Sequence, residues 1–234
     1  MKSKYLLLWL EAPLQSWGAD SKFGRRNTLD FPTKSGIAGL LLCALGAGGE
    51  QEELLAELAP LSQTVISYAL PGDNSVEGDT AKLRDFHMVG SAYDDADPWE
   101  TLHIPKTREG GKAVGGGVKL TFRYYLQGGH FAAVVEVPSE RADEFAGALQ
   151  APVFDIYLGR KCCAPTDLVY RGVHDTEDAA LDAAAAIAAD KRLKEDFRVK
   201  DGEGGDETLT LNDVPLRFGQ EKRYRERRVS VIRP

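Results

Sequence analysis

The order of apolar segments predicts an α+β fold of the ferredoxin-like kind, β-α-β-β-α-β with additions, and three features carry that expectation. Strand-length and helix-length apolar runs follow one another in that order from residue 5 to residue 159. Two of the strands, VKLTFRYYL and HFAAVVEV, are joined through Gln127, Gly128 and Gly129, a short glycine-containing hairpin signal. Residues 71–117 show no strong periodicity, and a connection of that length inside a compact domain reads as a functional projection with some strand content of its own.

Taken in order, residues 5–11 are a buried strand, followed by the polar loop QSWGADSKFGRRNTLDFPT. Ile37, Leu40, Leu41, Leu42, Ala44 and Leu45 support a helix that ends near Gly46, with Thr33 as its cap. EQEELLAELAPL is a second short helix stopped by Pro60, and QTVISYAL at 63–70 is a strand. After the projection and its hairpin, SERADEFAGALQ is a helix with Ser139 as its cap, and PVFDIYLG from 152 is the next strand. Residues 176–190 form an alanine-rich helix with no evident buried face, and the tail holds the strands TLTLN and RRVSVI.

The length of 234 residues fits a single domain, 1–234, that carries the 71–117 insertion. A composition of 43% hydrophobic and 28% charged residues is that of a soluble globular protein, without a run of about 20 apolar residues for a membrane span. YLLLWLEAPL is apolar for too short a distance to be a secretory signal. Cys43, Cys162 and Cys163 have neither a disulfide framework nor a metal-ligand spacing, which fits a reducing cytoplasm.

The formal net charge of −7 argues against nucleic acid, but its distribution argues for it. Residues 217–233 hold Arg217, Lys222, Arg223, Arg225, Arg227, Arg228 and Arg233 against Glu221 and Glu226. Residues 104–125 hold Lys106, Arg108, Lys112, Lys119 and Arg123 against Glu109. Acidic residues gather at 50–57, 94–100, 175–190 and 201–207, so a polarised molecule is expected, with basic segments free to follow a phosphate backbone. Ordinary solvated charge runs account for the same pattern.

The segment PTKSG opens an apolar helix, where unpaired N–H groups and the dipole attract anions. Lys34 in that first turn opposes the dipole unless a negative charge sits nearby. Gly36 and Gly39 permit close approach of a phosphate, or simply tight packing of the helix on the sheet. The glycine spacing of a nucleotide-binding P-loop is missing from LDFPTKS, which argues against nucleotide hydrolysis. In the preceding loop Gln15, Ser16, Trp17, Lys22, Phe23, Arg25 and Arg26 interleave aromatic and basic side chains, as single-stranded RNA binders do. A solvent loop with Trp17 tucked into the core fits equally. In LGRKCCAP, Gly159 would let backbone N–H groups approach phosphate beside Arg160 and Lys161, or would serve a plain turn. His87, His103, His130 and His174 are scattered, and although His87 or His103 with Tyr124 or a lysine would suit metal-independent RNA cleavage, no local spacing assembles them. Neither a metal nor another cofactor is called for.

LEAPLQSWG, FGRRNT, FPTKSGIAGLL, LRDFHMVG and YLGRKCCAP, in that order across residues 10–165, resemble the CasD family, the subunit of the type I-E CRISPR surveillance complex Cascade that holds the 5′ end of the guide RNA. The tail RFGQEKRYRERRVSVIRP is similar to the family's arginine-rich end. The resemblance implies an RRM-like palm, an extended β-hairpin thumb within 71–117, and binding to the 5′ handle of the crRNA without catalysis. It also implies contacts with the backbone subunit, with the large subunit that reads the protospacer-adjacent motif, and with target DNA near the guide's 5′ end. The alternative is a metal-independent endoribonuclease that processes CRISPR precursor RNA, as the type I-C counterpart does. Together the residues and the resemblance give an RNA-binding set of Gln15, Ser16, Trp17, Lys22, Arg25, Arg26, Lys34, Ser35, Gly36, His87, Arg160 and Lys161, with Lys106, Arg108 and Lys112 on the thumb. No catalytic residue is carried over. The acidic alanine-rich segment 175–196 departs from the family pattern.

Overall fold

The computed structural model describes residues 2–18, 24–71, 81–89, 96, 107, 109–110 and 119–234. It is a mixed α+β structure around a seven-stranded antiparallel sheet. The strands of the chain are β1 (Ser3–Glu11), β2 (Leu14–Gln15), β3 (Arg25–Arg26), β4 (Gln63–Ala69), β5 (Lys82–Val89), β6 (Lys119–Gln127), β7 (His130–Pro138), β8 (Tyr170–His174), β9 (Lys194–Asp201), β10 (Glu207–Arg217) and β11 (Arg223–Ile232). The helices are α1 (Lys34–Leu45), α2 (Glu52–Leu58), α3 (Ala142–Gln150) and α4 (Glu177–Asp190). The large sheet runs β10-β11-β9-β4-β7-β1-β8, and a smaller sheet runs β2-β6-β3 with β5 paired to β6.

The unbroken apolar run of β1 follows from its interior place between β7 and β8, covered on both faces. Successive side chains point to opposite faces. Leu6, Leu8 and Leu10 therefore enter the core shared with α1, α2 and α3, while Leu7 and Trp9 enter a second cluster beneath α4. The face of α4 that the sequence left unassigned is the alanine row Ala180, Ala184 and Ala188, at a spacing of four, packed with Leu7, Trp9, Ile66, Tyr68 and Val134. Alanines let the helix backbone lie close to the sheet.

α1 starts as the sequence predicts: Thr33 is extended and its Oγ1 accepts from the Gly36 N–H. It ends at Gly46 in the left-handed conformation, whose N–H returns to the Cys43 carbonyl. Two local expectations fail. Ser139 does not cap α3, because residues Ser139–Arg141 form a 3-10 turn and the Ser139 N–H is bound by the Lys2 carbonyl. PVFDIYLG is not a strand. Pro152 has no N–H, the Val153 N–H binds Ala44 at the end of α1, and the Leu158 N–H closes a turn onto Cys163. The edge position beside β1 goes instead to β8, whose YRGVH has no strand-like alternation to announce it.

Candidate nucleic-acid interface

Four of the segments singled out in the sequence converge on one cleft of about 320 Å³. The first turns of α1 supply Thr33, Ser35, Gly36, Gly39 and Leu40; the loop after β2 supplies Ser16, Trp17 and Gly18; the loop before residue 160 supplies Tyr157 and Gly159; the tail supplies Phe218, Lys222 and Tyr224. The walls owe their closeness to glycine. A Cβ at Gly159, where φ is +93°, would lie 1.7 Å from the Ser16 carbonyl oxygen, so only glycine lets this loop meet the Ser16 backbone. The Ser16 N–H donates to the Leu158 carbonyl at 3.1 Å and completes that seam.

The helix start that looked ready for an external anion is occupied by the protein itself. The Lys34 N–H donates to Asp213 Oδ2 at 2.7 Å, and the Asp213 carboxylate receives both Nε and Nη2 of Arg227 at 2.7 and 2.8 Å. Arg227 also pairs with Asp201. Burial disfavours the Arg227 charge, but the hydrogen bonds and charges of Asp213 and Asp201 outweigh it and hold the guanidinium above its ordinary value. Lys34 turns inward: its Nζ donates to the carbonyls of Ala59 and Leu61, and burial pushes the ammonium below the usual lysine range, partly offset by Asp201. A phosphate role for Lys34 is therefore withdrawn.

The neighbouring residues divide in the same way. Gln15 is fully buried, donating to the carbonyls of Leu10 and Gly129 and accepting from Trp17 Nε1 at 3.0 Å. Trp17 is buried against Gly36, where a Cβ would meet its ring at 2.8 Å. Both serve the core, so stacking on Trp17 is withdrawn, as is a ligand contact by the Gln15 amide. Ser16 is buried and donates to the Tyr124 carbonyl. Gly36 and Ser35 line the cleft. Arg160 is half-structural: its guanidinium donates to the carbonyls of Tyr124 and Arg26 and lies 4.5 Å from the centre of the Tyr125 ring. Lys161 is exposed and has no ion partner among the described residues. Lys22, Lys106, Arg108, Lys112 and His103 lie outside the described residues.

A second surface was not foreseen as such. On the β5–β6 ladder, Arg84 opposes Tyr124, Phe86 opposes Phe122 and Met88 opposes Leu120, so these six side chains share one face. Phe86, Met88, Leu120 and Phe122 are exposed. The Phe86 and Phe122 rings lie 5.5 Å apart, the Arg84 guanidinium sits over Phe122, and Arg25 reaches the Tyr124 hydroxyl at 2.9 Å. Basic and aromatic groups thus do interleave, with Tyr124, Phe122 and Phe86 as the aromatics. The alternation LTFRYY carried that signal; nothing in it showed that the apolar side stays uncovered. His87 opposes Thr121 on the other face of the ladder, so it does not meet Tyr124.

The charge pattern also resolves. Arg217 pairs with Glu50 and Glu52, Arg223 with Glu52, Arg227 with Asp201 and Asp213, and Arg228 with Glu203. The basic tail and two of the acidic segments neutralise one another, which corrects the expected separation of charge. Lys222 and Arg225 remain exposed, with no ion partner among the described residues.

The family model described as CRISPR-associated protein (Cas_Cas5) matches residues 5–230. Over 181 residues the chain is 30% identical to the CRISPR system Cascade subunit CasD of Escherichia coli (strain K12), covering 74% of this chain and 73% of that one. Among solved structures, a chain of a CRISPR RNA-guided surveillance complex superposes with a TM-score of 0.67 at 27% identity, over 98% of this chain and 89% of the other. A crystal structure of a Cas protein has the same fold, with a TM-score of 0.58 at 23% identity over 97% and 93% of the two chains. With its model match spanning nearly the whole length, the chain belongs to the Cas5/CasD family of CRISPR-associated proteins.

Proposed function

We propose that this chain is a non-catalytic RNA-binding subunit of a type I-E CRISPR surveillance complex, where it holds the 5′ handle of the guide RNA. The observation that carries this reading is the cleft, since the QSWG, PTKSG and LGRK segments and the arginine-rich tail, distant in sequence, line one cavity. The run β8-β1-β7-β4, with α1 and α3 as its connections, serves as the ferredoxin-like, RRM-like palm. The β5–β6 ladder belongs to the thumb, to which Lys106, Arg108 and Lys112 of 71–117 are assigned. In this reading Arg25, Arg26 and Lys161, with the remaining charge of Arg160, follow the phosphates, while Ser35 and the cleft walls receive the chain. The thumb face reaches the backbone subunit, with the large subunit and the target DNA near the guide's 5′ end beside it, in the cytoplasm. Among the described residues no helix is long and apolar enough to cross a membrane.

Co-expression with a repeat array and the neighbouring subunits tests the reading. The double variant Arg25→Glu, Arg26→Glu should lower the guide RNA recovered per complex by about tenfold or more, because two favourable phosphate contacts become repulsive. Unchanged RNA content on a denaturing gel would overturn the assignment of this edge to the guide.

A further inference from the structure

We infer that Lys222 holds a phosphate of the bound RNA inside the cleft, and that Asp213 is the positioning residue that keeps the β10–β11 hairpin, and hence Lys222, in place. The inference rests on the reading of the chain as an RNA-binding subunit.

Lys222 belongs to the turn of that hairpin and lines the cleft together with Ser35, Gly36 and Gly39. Arg217, Arg223, Arg227 and Arg228 of the same hairpin are each paired with a carboxylate. Among the described basic residues Lys222 alone lines the cavity, and it has no ion partner among the described residues. A cation with no counter-ion among the described residues, in a cleft flanked by Tyr157, Phe218 and Tyr224, suits a phosphate of a single strand whose base meets aromatic walls.

The hairpin is fixed by unequal ties. Arg217 with Glu50 and Glu52, and the Phe218 N–H on the Glu50 carbonyl, hold its tip at the surface, where ion pairs contribute little. The buried tie is Asp213, bound by the Lys34 N–H and by two nitrogens of Arg227. Its reach to α1 comes from an irregularity: the β10–β11 register shifts between Leu211 and Val214, and Asp213 lies within that bulge. Such bulges re-aim a side chain out of the ladder. The same helix start therefore forms one wall of the cleft and anchors the other. The rest of the buried polar network, Lys34 and Asp201, closes around Arg227 and leaves Asp213 as its hydrogen bond from hairpin to helix start, beside the apolar packing of Leu211 and Val229 in the core shared with α1.

The test is a double-mutant cycle on the purified full chain, read by anisotropy of a fluorescein-labelled single-stranded CRISPR-repeat RNA. Lys222→Ala should weaken binding about fivefold in the wild-type background, as loss of one phosphate contact does. In the Asp213→Asn background, whose amide oxygen still accepts from the Lys34 N–H, adding Lys222→Ala should weaken binding by no more than roughly 1.5-fold. A purely structural defect would lower the folded fraction equally with either residue at 222, so the two losses would multiply. Thermal melts establish that Asp213→Asn is folded; if it is not, Arg227→Lys takes its place in the same cycle. Multiplying losses would overturn the positioning role. An RNA affinity indifferent to Lys222→Ala would overturn the phosphate contact, and a wild-type chain that binds no RNA would overturn the underlying reading of function instead.

Discussion

Two glycines three residues apart in α1 have opposite duties, and the difference decides what alanine does at each. At Gly36 a Cβ would sit 2.8 Å from the Trp17 ring and 2.9 Å from Thr33 Oγ1, whereas at Gly39 nothing lies within 4 Å. Gly39→Ala should therefore stabilise the chain by about 0.5–1 kcal/mol, the usual gain in a helix interior, and Gly36→Ala should destabilise it, both read from urea midpoints. Gly39→Glu should fold but lose RNA, since its side chain projects into the cleft. Another single residue contributes to the loss of stability at alkaline pH. Burial, and then the Glu195 carboxylate, push the Tyr68 hydroxyl up to about 12 from 10.0. Between those values the folded chain holds a proton that the unfolded chain has lost, so stability falls as pH rises through the window. Tyr68→Phe should flatten that fall in urea midpoints taken across the window. Cys163, raised by burial to about 11, leaves a fall of its own at lower pH.

At the level of elements, α4 shows how far pattern reading reaches and where it stops. Its span was legible from the alanine-rich run 176–190, and in the structure Thr176 caps it, with its Oγ1 accepting from the Ala179 N–H. Its buried face was not, since alanine lies on both sides and only the sheet beneath selects Ala180, Ala184 and Ala188. Ala184→Leu should cost about 1–3 kcal/mol by overpacking. The exposed Ala185→Leu, one residue on, should stay within about 0.5 kcal/mol, and thermal unfolding distinguishes the two. The strands β1, β4, β6 and β7 were readable from apolar runs and a glycine turn. β8 and β9 were not, because YRGVH and KEDFRVKD take their strand form from neighbours distant in sequence. The loop 152–159 was misread for the converse reason: its apolar residues are half on the surface, and its backbone is bound by α1.

For the whole molecule, the lesson lies in charge. The motif stretches contribute walls to the cleft, yet they assigned Lys34, Gln15 and Trp17 to the ligand when the fold uses them inside. Lys222, Tyr157 and Tyr224 were passed over because nothing local separates a free lysine from a paired arginine in KRYRERR. A charge tally along the chain cannot show that Glu50, Glu52, Asp201, Glu203 and Asp213 lie against the tail. Once those pairs are formed, Lys222 and Arg225 are what remains of the exposed positive charge of residues 217–228 without an ion partner among the described residues, and Lys222 lines the cleft.

The order of synthesis gives the β10–β11 hairpin a temporal meaning. β4 lies between β7 and β9, and the cleft wall bearing Lys222 follows both in the chain. A domain folds as a unit, and its amino-terminal segments leave the ribosome first. A nascent chain that already displays QSWG and PTKSG thus has neither its Asp213 anchor nor its second wall, so under the proposed function the site for a guide is complete only after β10 and β11 have folded back onto α1.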